Sequence, residues 1–577
     1  MHNIKSACRL LRIRPCSPCI AHKYIRKSTL IQHHRNVSTA QCGNNTQETI
    51  KESKNVPSQH KVIQFLQEEP EFVRRLNSDF AEPYTDISKL PDFIMNPRGR
   101  NYSNSALVEF YEKAKLLKPA VDVKYILDNL DKVQENMKMR NCDFDLVKMV
   151  VQPYKRMILV QNEVEKYNEM KESVKSQIEN VHQMNFDGLT LEKQMAKLEQ
   201  SLQYANNILH ILNWVKRQVE AVFLANALMV PNQTHPLAKD GATEGNVIET
   251  VGNKPEFDFP VHDHIFIGEK LKLFRQSRMS DFAGHRNYYL SGDAAELEQA
   301  LIQYTLDKLK ARNFHFISTP NILKDAMLEG AGVVSNKMED LLYNIENASA
   351  DGFCLAGTSE IGLAAYFSSH AILESQLPIK VCAVSTCYRK ETGTRLDPKG
   401  LFRVHQFNKV EMFGVTGNES GNESEQLQLE FVEIQKELFS DLNLHYNVID
   451  MPAIDLGLPA FRKIDIEAWF PGRDRYDEIS SASNCTDFQS RRLHILYKHD
   501  DKYKFAHTVN ATACAVPRMI IALLENGQQK DKTIVVPECL REYMGGKVIL
   551  KRDKRRKAME YIGIKASKKN QRCLADF

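Results

Sequence analysis

Four short runs in the C-terminal half concentrate residue types that can hold a phosphate, a cation and a small zwitterion. The first pairs Cys387-Tyr388-Arg389-Lys390-Glu391-Thr392-Gly393 with the stretch from Gly400 to Glu411, GLFRVHQFNKVE. Read as strands, these runs alternate their side chains with period two. Arg389 and Glu391 then share one face, and Arg403, His405, Phe407, Lys409 and Glu411 share one face of the second run. A face bearing Arg, Phe and Glu can pair a phosphate, stack a base and hold an ammonium group. The same pattern also describes a solvated strand face laced with cross-strand salt bridges, and the residues alone leave both readings open.

The second run is Gly357-Thr358-Ser359-Glu360, at the start of a helix-like stretch. The third is Tyr476-Asp477-Glu478-Ile479-Ser480-Ser481, followed by Asn484-Cys485-Thr486-Asp487. Glu478 and Ser481 offer oxygen ligands suited to a hard cation. The fourth, Val509-Asn510-Ala511-Thr512-Ala513-Cys514-Ala515-Val516-Pro517-Arg518, runs into a helix through Leu524. Pro517 suits a first helical turn, which puts Arg518 near a helix N-terminus, where a negative group is welcome. Taken singly, each Arg, Thr or Glu is more often a surface or capping residue. Their joint order carries the weight.

Other chemistries are excluded. No GxxxxGK[ST] phosphate loop, no HExxH and no paired CxxC motifs occur, so a nucleotide would be handled without a P-loop. The 12 cysteines are scattered and form no disulfide framework. Cys16 and Cys19 make one CxxC without a second pair, and no zinc is expected. The sequons at Asn347 and Asn484 matter only in the secretory pathway and are discounted.

The elements that must position these residues are legible from hydrophobic spacing. Val121 to Arg140 begins a compact helical region. Met157, Val160, Val164, Tyr167, Val174, Ile178 and Val181 then form a heptad stripe, broken at Asp187-Gly188. Leu191, Met195, Leu198, Leu202, Ala205, Leu209 and Leu212 form a second. Two narrow seams joined by a short loop predict an antiparallel coiled-coil hairpin. The polar faces (Glu163, Lys166, Glu169, Lys171, Glu172) favour a projecting arm over two helices of a bundle. From about Pro255 the texture changes. A helical stretch, Ala294 to Lys310, and β-rich runs at Ile379 to Cys387, Gly400 to Val415 and Leu444 to Asp450 predict an α+β domain with a mainly antiparallel sheet.

Composition bounds the rest. The 577 residues allow two to four domains, and 42% hydrophobic with 26% charged residues is ordinary for a globular protein. No apolar run approaches the roughly 20 residues of a membrane-spanning helix, so no membrane association is expected. No Asp or Glu precedes Glu48, whereas Lys5, Arg9, Arg12, Arg14, Lys23, Arg26, Lys27 and Arg35 fall in that stretch. This reads as a mitochondrial transit peptide over 1–45, against the simpler reading of a basic tail. Without those eight charges the remainder of a chain of net charge +4 carries −4, so nucleic acid would be met by local patches. The expected organisation continues with an irregular extension over 46–117, a helical arm over 118–240, a catalytic domain over 241–545 and a basic tail over 546–577. The tail includes Lys547, Lys551, Arg552, Lys554, Arg555, Arg556, Lys557, Lys565, Lys568, Lys569 and Arg572. It fits phosphate contacts or a solubilising role equally.

From about Val121 to Tyr543 the chain resembles the seryl-tRNA synthetases, the animal mitochondrial ones most of all. VDVKYILDNLDKV is similar to the start of that family's tRNA-binding domain, the heptad hairpin to its long arm, and MVPNQTHPLAKDGATEGNVIETVG to its arm-to-body link. FISTPNILKDAMLEGAG resembles class II motif 1, CYRKETG through FRVHQFNKVEMF resembles motif 2, and NATACAVPRMIIALLEN resembles motif 3. TSE and SASNCTDFQSRR are further signatures. The resemblance implies a class II catalytic domain whose antiparallel sheet is flanked by helices, behind a coiled-coil arm. It implies an enzyme that activates serine with ATP and Mg2+ and transfers it to the 3′ end of tRNA(Ser) in the mitochondrial matrix.

The resemblance also assigns roles. Arg389, Glu391, Arg403 and Arg518 would be catalytic. Serine would meet Thr358, Glu360, Arg389, Glu411, Asn510 and Thr512. ATP would meet Arg389, Glu391, Arg403, Val404, Phe407, Glu478, Ser481 and Arg518, with Phe407 stacked on adenine and Glu478 and Ser481 ligating Mg2+. Motif 1, around Pro320, would build a homodimer, and the arm, with the tail, would grip tRNA. Motif 3 here reads Asn510-Ala511-Thr512, where many relatives carry a central glycine. The competing expectation is a catalytically inactive relative kept as an RNA-binding or scaffold module, which should have lost some of Arg389, Glu391, Glu411, Glu478 or Arg518.

Overall fold

The computed structural model describes residues 118–142, 145–181, 191–238, 244–276, 283–333, 342–345, 352–391 and 400–552. The expected leader with Cys16 and Cys19, the extension over 46–117, the Asp187-Gly188 turn, Asn347, Thr392-Gly393 and the tail beyond Arg552 lie outside the described residues.

The N-terminal region is helical. Helices α1 (Val123–Asp128) and α2 (Leu130–Met139) precede the long α3 (Gln152–Glu179) and α4 (Leu191–Ala227). Asp122 caps α1 by accepting the Tyr125 N–H at 2.9 Å. Helix α4, at 37 residues, is about 55 Å long. Its seam with α3 buries Val160, Val164 and Tyr167 against Ile208, Leu209, Ile211, Leu212 and Val215. The stripe is not uniform along the hairpin. Leu191, placed on the apolar seam by its spacing, is 41% exposed. Two helices alone bury one narrow stripe, and among the described residues no third element covers that end. At the other end α1 and α2 do. There Ile126, Val133, Met137, Val150, Phe223, Leu224 and Ala227 form a small core of their own.

This region is joined to the C-terminal body by partly buried hydrogen bonds. Arg140 donates to the Asn232 carbonyl at 2.7 Å and also to the Gly457 carbonyl. Burial pushes the Arg140 guanidinium down to about 10. The Asn232 amide donates to the carbonyls of Pro459 (2.9 Å) and Cys485 (2.8 Å).

The body is built on an eight-stranded sheet. Its strands are β1 (Asn246–Val251), β2 (His315–Phe316), β3 (Ile379–Tyr388), β4 (Gln406–Thr416), β5 (Tyr446–Asp450), β6 (Arg462–Phe470), β7 (Arg475–Thr486) and β8 (His507–Ala515). The spatial order is β1-β5-β6-β7-β8-β4-β3-β2, antiparallel throughout except for the short β2 beside β3. Among the helices packed around it are α5 (Asp293–Ala311), α6 (Ser359–Phe367), α7 (Glu423–Asp441), α8 (Phe488–Leu493) and α9 (Val516–Asn526).

One face of the sheet is closed. Val410, Met412, Ile464, Ile466, Ala482, Val509 and Ala511 pack against α5, α7 and α9 through Leu297, Leu301, Phe431, Leu438, Ile520 and Leu524. The opposite face is covered at one end by α6, where Leu363 and Phe367 meet Val381, Ala383, Phe413 and Val415. Period-two alternation does this sorting: Met412 and Val410 go to one side, Phe413 and Glu411 to the other. The α+β architecture, with helices on a mainly antiparallel sheet, is as the sequence pattern predicts. Among the described residues no helix is long and apolar enough to cross a membrane.

Candidate active site

The residues singled out from the sequence gather on the sheet face that α6 leaves open. Two β-bulges arrange them. Between β6 and β7, Ile466 pairs with Ser480 while Glu467 pairs with Glu478, so Ile479 is an extra residue. Between β4 and β8, Val410 pairs with Cys514 while Glu411 pairs with Thr512, so Ala513 is extra. A bulge shifts the alternation by one. Ile479 and Ala482 face the closed core, as do Ala513 and Cys514. Glu478 and Ser481, three apart, therefore come to the same open face, which an uninterrupted strand would forbid. Thr512 lands directly opposite Glu411.

Two sequence-based placements need correction. Strand β3 ends at Tyr388, so Arg389 and Glu391 are not neighbours on a strand face. Arg389 keeps one ladder bond, donating its N–H to the His405 carbonyl at 2.9 Å. Glu391 is turned into the left-handed region at φ 49°, a conformation that costs a non-glycine residue about 1–2 kcal/mol. Strand β4 begins at Gln406, so Arg403 and His405 lie in the preceding turn, and only Phe407, Lys409 and Glu411 share its face. The turn stands off the sheet because Arg286 accepts the His405 N–H, pairing this segment with another loop.

One end of the site collects groups for an amino acid. Thr358 caps α6, its hydroxyl accepting the Glu360 N–H at 3.3 Å. The Tyr388 N–H donates to the Ala356 carbonyl at 3.0 Å, which holds this cap against the end of β3. The Arg389 guanidinium reaches the Gly357 carbonyl at 3.4 Å. Glu360 accepts from the amides of Gln489 (2.7 Å) and Asn510 (2.9 Å). Burial, reinforced by the Glu411 charge, pushes the Glu360 carboxyl up to about 7. Glu411 lies 3.4 Å from the Thr512 hydroxyl and forms a buried ion pair with Lys409.

The other end collects guanidinium groups. Arg389 lies with its guanidinium carbon 5.3 Å from the Phe407 ring centre. The Glu391 carboxylate sits 3.3 Å from Arg403 and 3.8 Å from Arg286. Arg518, in the first turn of α9 as Pro517 foretells, donates to the Glu478 carbonyl at 2.7 Å and lies 3.6 Å from its carboxylate. Burial alone would raise the Glu478 carboxyl, but Arg518, Lys463, Arg389 and Lys409 outweigh it and hold it below its ordinary value. The guanidinium of Arg518 also lies 4.5 Å from the Phe402 ring centre. Val404 is buried. Ala511 packs in the closed core, so alanine in place of glycine there does not touch the site.

Several participants escaped the sequence reading. Lys409 was on the right face, and nothing in the pattern marked it as the partner of Glu411. Gln489 comes from α8, far along the chain, and ties Glu360 to the Thr508 hydroxyl, 2.7 Å away. Lys463 and Asp465 pair at 2.6 Å on β6 beside Ser481. Burial is the main cause that raises the Asp465 carboxyl. Arg286 carries no motif of its own.

The arrangement offers carboxylates and a hydroxyl for a small polar zwitterion, next to arginines and an aromatic ring for a nucleotide. Comparisons with known proteins point to one family. Residues 343–527 match the tRNA synthetase class II core domain (G, H, P, S and T). The mitochondrial serine–tRNA ligase of Mus musculus is 50% identical over 330 residues, which cover 57% of this chain and 64% of the mouse protein. The serine–tRNA ligase of Treponema denticola is 38% identical over 437 residues, covering 74% of this chain and 99% of that protein. Among solved structures, the seryl-tRNA synthetase of Pyrococcus horikoshii complexed with ATP superposes with a TM-score of 0.65 at 28% identity, covering 75% of this chain and all of that one.

Proposed function

The chain belongs to the serine–tRNA ligase family, and on that premise we propose that it activates serine with ATP and transfers the seryl group to the 3′ end of tRNA(Ser) in the mitochondrial matrix. One observation carries the reading. Glu411 and Thr512 face each other across two strands at 3.4 Å, on the same open face as Glu360, Asn510 and Arg389. That set matches serine group by group: a hydroxyl between Glu411 and Thr512, an ammonium at Glu360 and Thr358, a carboxylate at Arg389.

The chemistry then follows. The serine carboxylate attacks the α-phosphorus of ATP in line and pyrophosphate leaves. Arg389 steadies both the attacking carboxylate and the α-phosphate, where charge grows. Glu391 holds the adenine, Phe407 stacks on it, the Val404 backbone lines its pocket, and Arg403 and Arg518 clamp the outer phosphates. Glu478 and Ser481 are hard oxygen donors on one face, and Glu478 is held ionised by its cationic neighbours, so the pair fits Mg2+. When bound, Mg2+ would neutralise phosphate charge. The tRNA 3′-hydroxyl next attacks the adenylate carbonyl, releasing AMP. No covalent enzyme intermediate is needed. Alanine would leave Glu411 and Thr512 without their partner, and such unpaired sites discriminate strongly.

The helical arm is long enough to read tRNA by shape and backbone, and the segment around Pro320 supplies the homodimer surface. Mitochondrial residence is supported by the mouse relative and by the acid-free N-terminus. An inactive scaffold is disfavoured because Arg389, Glu391, Glu411, Glu478 and Arg518 are all retained and converge. The test is ATP–pyrophosphate exchange with serine, alanine and threonine. Exchange with serine only is expected, and a folded protein showing no serine-dependent exchange refutes the proposal.

A further inference from the structure

Helix α7 carries two fully buried glutamines on the closed side of the sheet, Gln428 and Gln435. They differ in what they hold. The Gln435 amide nitrogen lies 2.9 Å from the Thr512 carbonyl, 3.0 Å from the Ser481 carbonyl and 2.7 Å from the Ser480 hydroxyl. The Ser480 hydroxyl itself donates to the Thr512 carbonyl. Thr512 precedes the extra residue of one bulge, and Ser480-Ser481 follow the extra residue of the other. A bulge leaves ladder groups unpaired, and buried carbonyls must find donors elsewhere. One amide supplies both bulges.

An amide nitrogen has two hydrogens for these three acceptors, so the interaction is saturated. The Gln435 side-chain oxygen meanwhile has no hydrogen-bond partner among the described residues. A buried polar group half satisfied at a cost is explained by what its other half does. Gln428 supplies the contrast. It is equally buried, its oxygen is equally unpartnered among the described residues, and its amide reaches the carbonyls of Arg462 (3.1 Å) and Ala482 (2.9 Å) in place of those of Ser481 and Thr512.

We propose that Gln435 is a positioning residue that locks the two bulges together, fixing the Thr512 hydroxyl pocket relative to the Ser481–Glu478 cation pocket. The inference rests on the proposed roles of those two pockets. Gln435 touches no substrate. It acts through Thr512 and Ser481, whose backbones it grips from behind the sheet. A small slip of either bulge would misalign both pockets together, and misplacement on the ångström scale is enough to cost about a hundredfold in rate.

The test compares Gln435→Met with Gln428→Met in the full chain. Four quantities are read: thermal stability, kcat and KM for serine in pyrophosphate exchange, and the affinity for Mn2+ in the presence of ATP by electron paramagnetic resonance. Both variants are expected to lose similar stability. Gln435→Met should raise the serine KM and weaken Mn2+ binding together, each by about tenfold or more, whereas Gln428→Met should leave both near wild type. Ser480→Ala, a smaller excision in the same lock, should move both parameters in the same direction, and it carries the test if Gln435→Met does not fold. Wild-type KM and Mn2+ affinity in folded Gln435→Met or Ser480→Ala, or equal shifts in Gln428→Met, overturn the proposal. Absence of serine-dependent exchange in the wild type would instead sink the ligase reading, and the Mn2+–ATP measurement would still decide the lock.

Discussion

Replacing Lys409 by methionine isolates the electrostatics of the proposed serine pocket. The Lys409 and Glu411 side chains are only 8% and 3% exposed and form an ion pair. Methionine keeps the apolar stem and removes the charge, leaving Glu411 buried without a counter-ion. Breaking a buried pair from one side costs about 3–5 kcal/mol. The folded variant can escape by protonating Glu411. Relative to an ordinary glutamate, that protonation costs about 4.4 kcal/mol at pH 7.5 and about 1.6 kcal/mol at pH 5.5. The expected deficit is therefore near the upper end at pH 7.5 and shrinks to below about 2 kcal/mol at pH 5.5. The sign follows because the ionised form is the disfavoured one in the folded variant, so stability is lost as pH rises. The assay is urea unfolding of wild type and variant at both pH values. The double variant Lys409→Met/Glu411→Gln, which removes both charges, should recover most of the stability yet remain poor in serine activation. A deficit under about 1 kcal/mol, as for an exposed pair, or one that does not change with pH, refutes the reasoning.

Three further outcomes are expected. Arg389→Ala should slow adenylate formation by about 10²-fold or more, the loss expected for a charge-stabilising donor, and near-wild-type pyrophosphate exchange would refute its assignment. Deleting Met157 to Leu212 should spare pyrophosphate exchange and abolish tRNA charging, because the pocket residues all lie in the body; normal charging by the deletion would remove the arm from tRNA recognition. The Glu360 carboxyl, raised by burial and by Glu411 to about 7, passes from mostly protonated to mostly ionised as pH rises through that value. The KM for serine should therefore rise about tenfold between pH 8 and pH 6, and Glu360→Gln should flatten that profile at a higher KM. A wild-type KM constant over this range would show that Glu360 does not meet the ammonium group.

Periodicity and local chemistry made a good part of this protein readable from its residues. The two long helices announced themselves because heptad spacing is a local property of one chain segment. Thr358 as a helix cap and Pro517-Arg518 at a helix start were legible for the same reason: a cap depends on its own turn. The residue types of the candidate site were also legible, since arginines, carboxylates and an aromatic ring recur in motifs that resemble one family.

What the tertiary structure alone decided is how those residues face one another. Strict alternation puts Glu478 and Ser481 on opposite faces, and only the extra Ile479, left unpaired where β7 registers against β6, brings them together. The pairing of Thr512 with Glu411 depends on Ala513 in the same way. Strand ends were missed because β3 and β4 stop where loops from elsewhere take over their hydrogen bonds, as Arg286 does for His405. Gln489 and Gln435 carry no local mark at all; each is defined by groups scores of residues away. Periodicity is written along the chain, whereas bulge, register and buried partner are properties of two segments at once, and they exist only after the chain has folded.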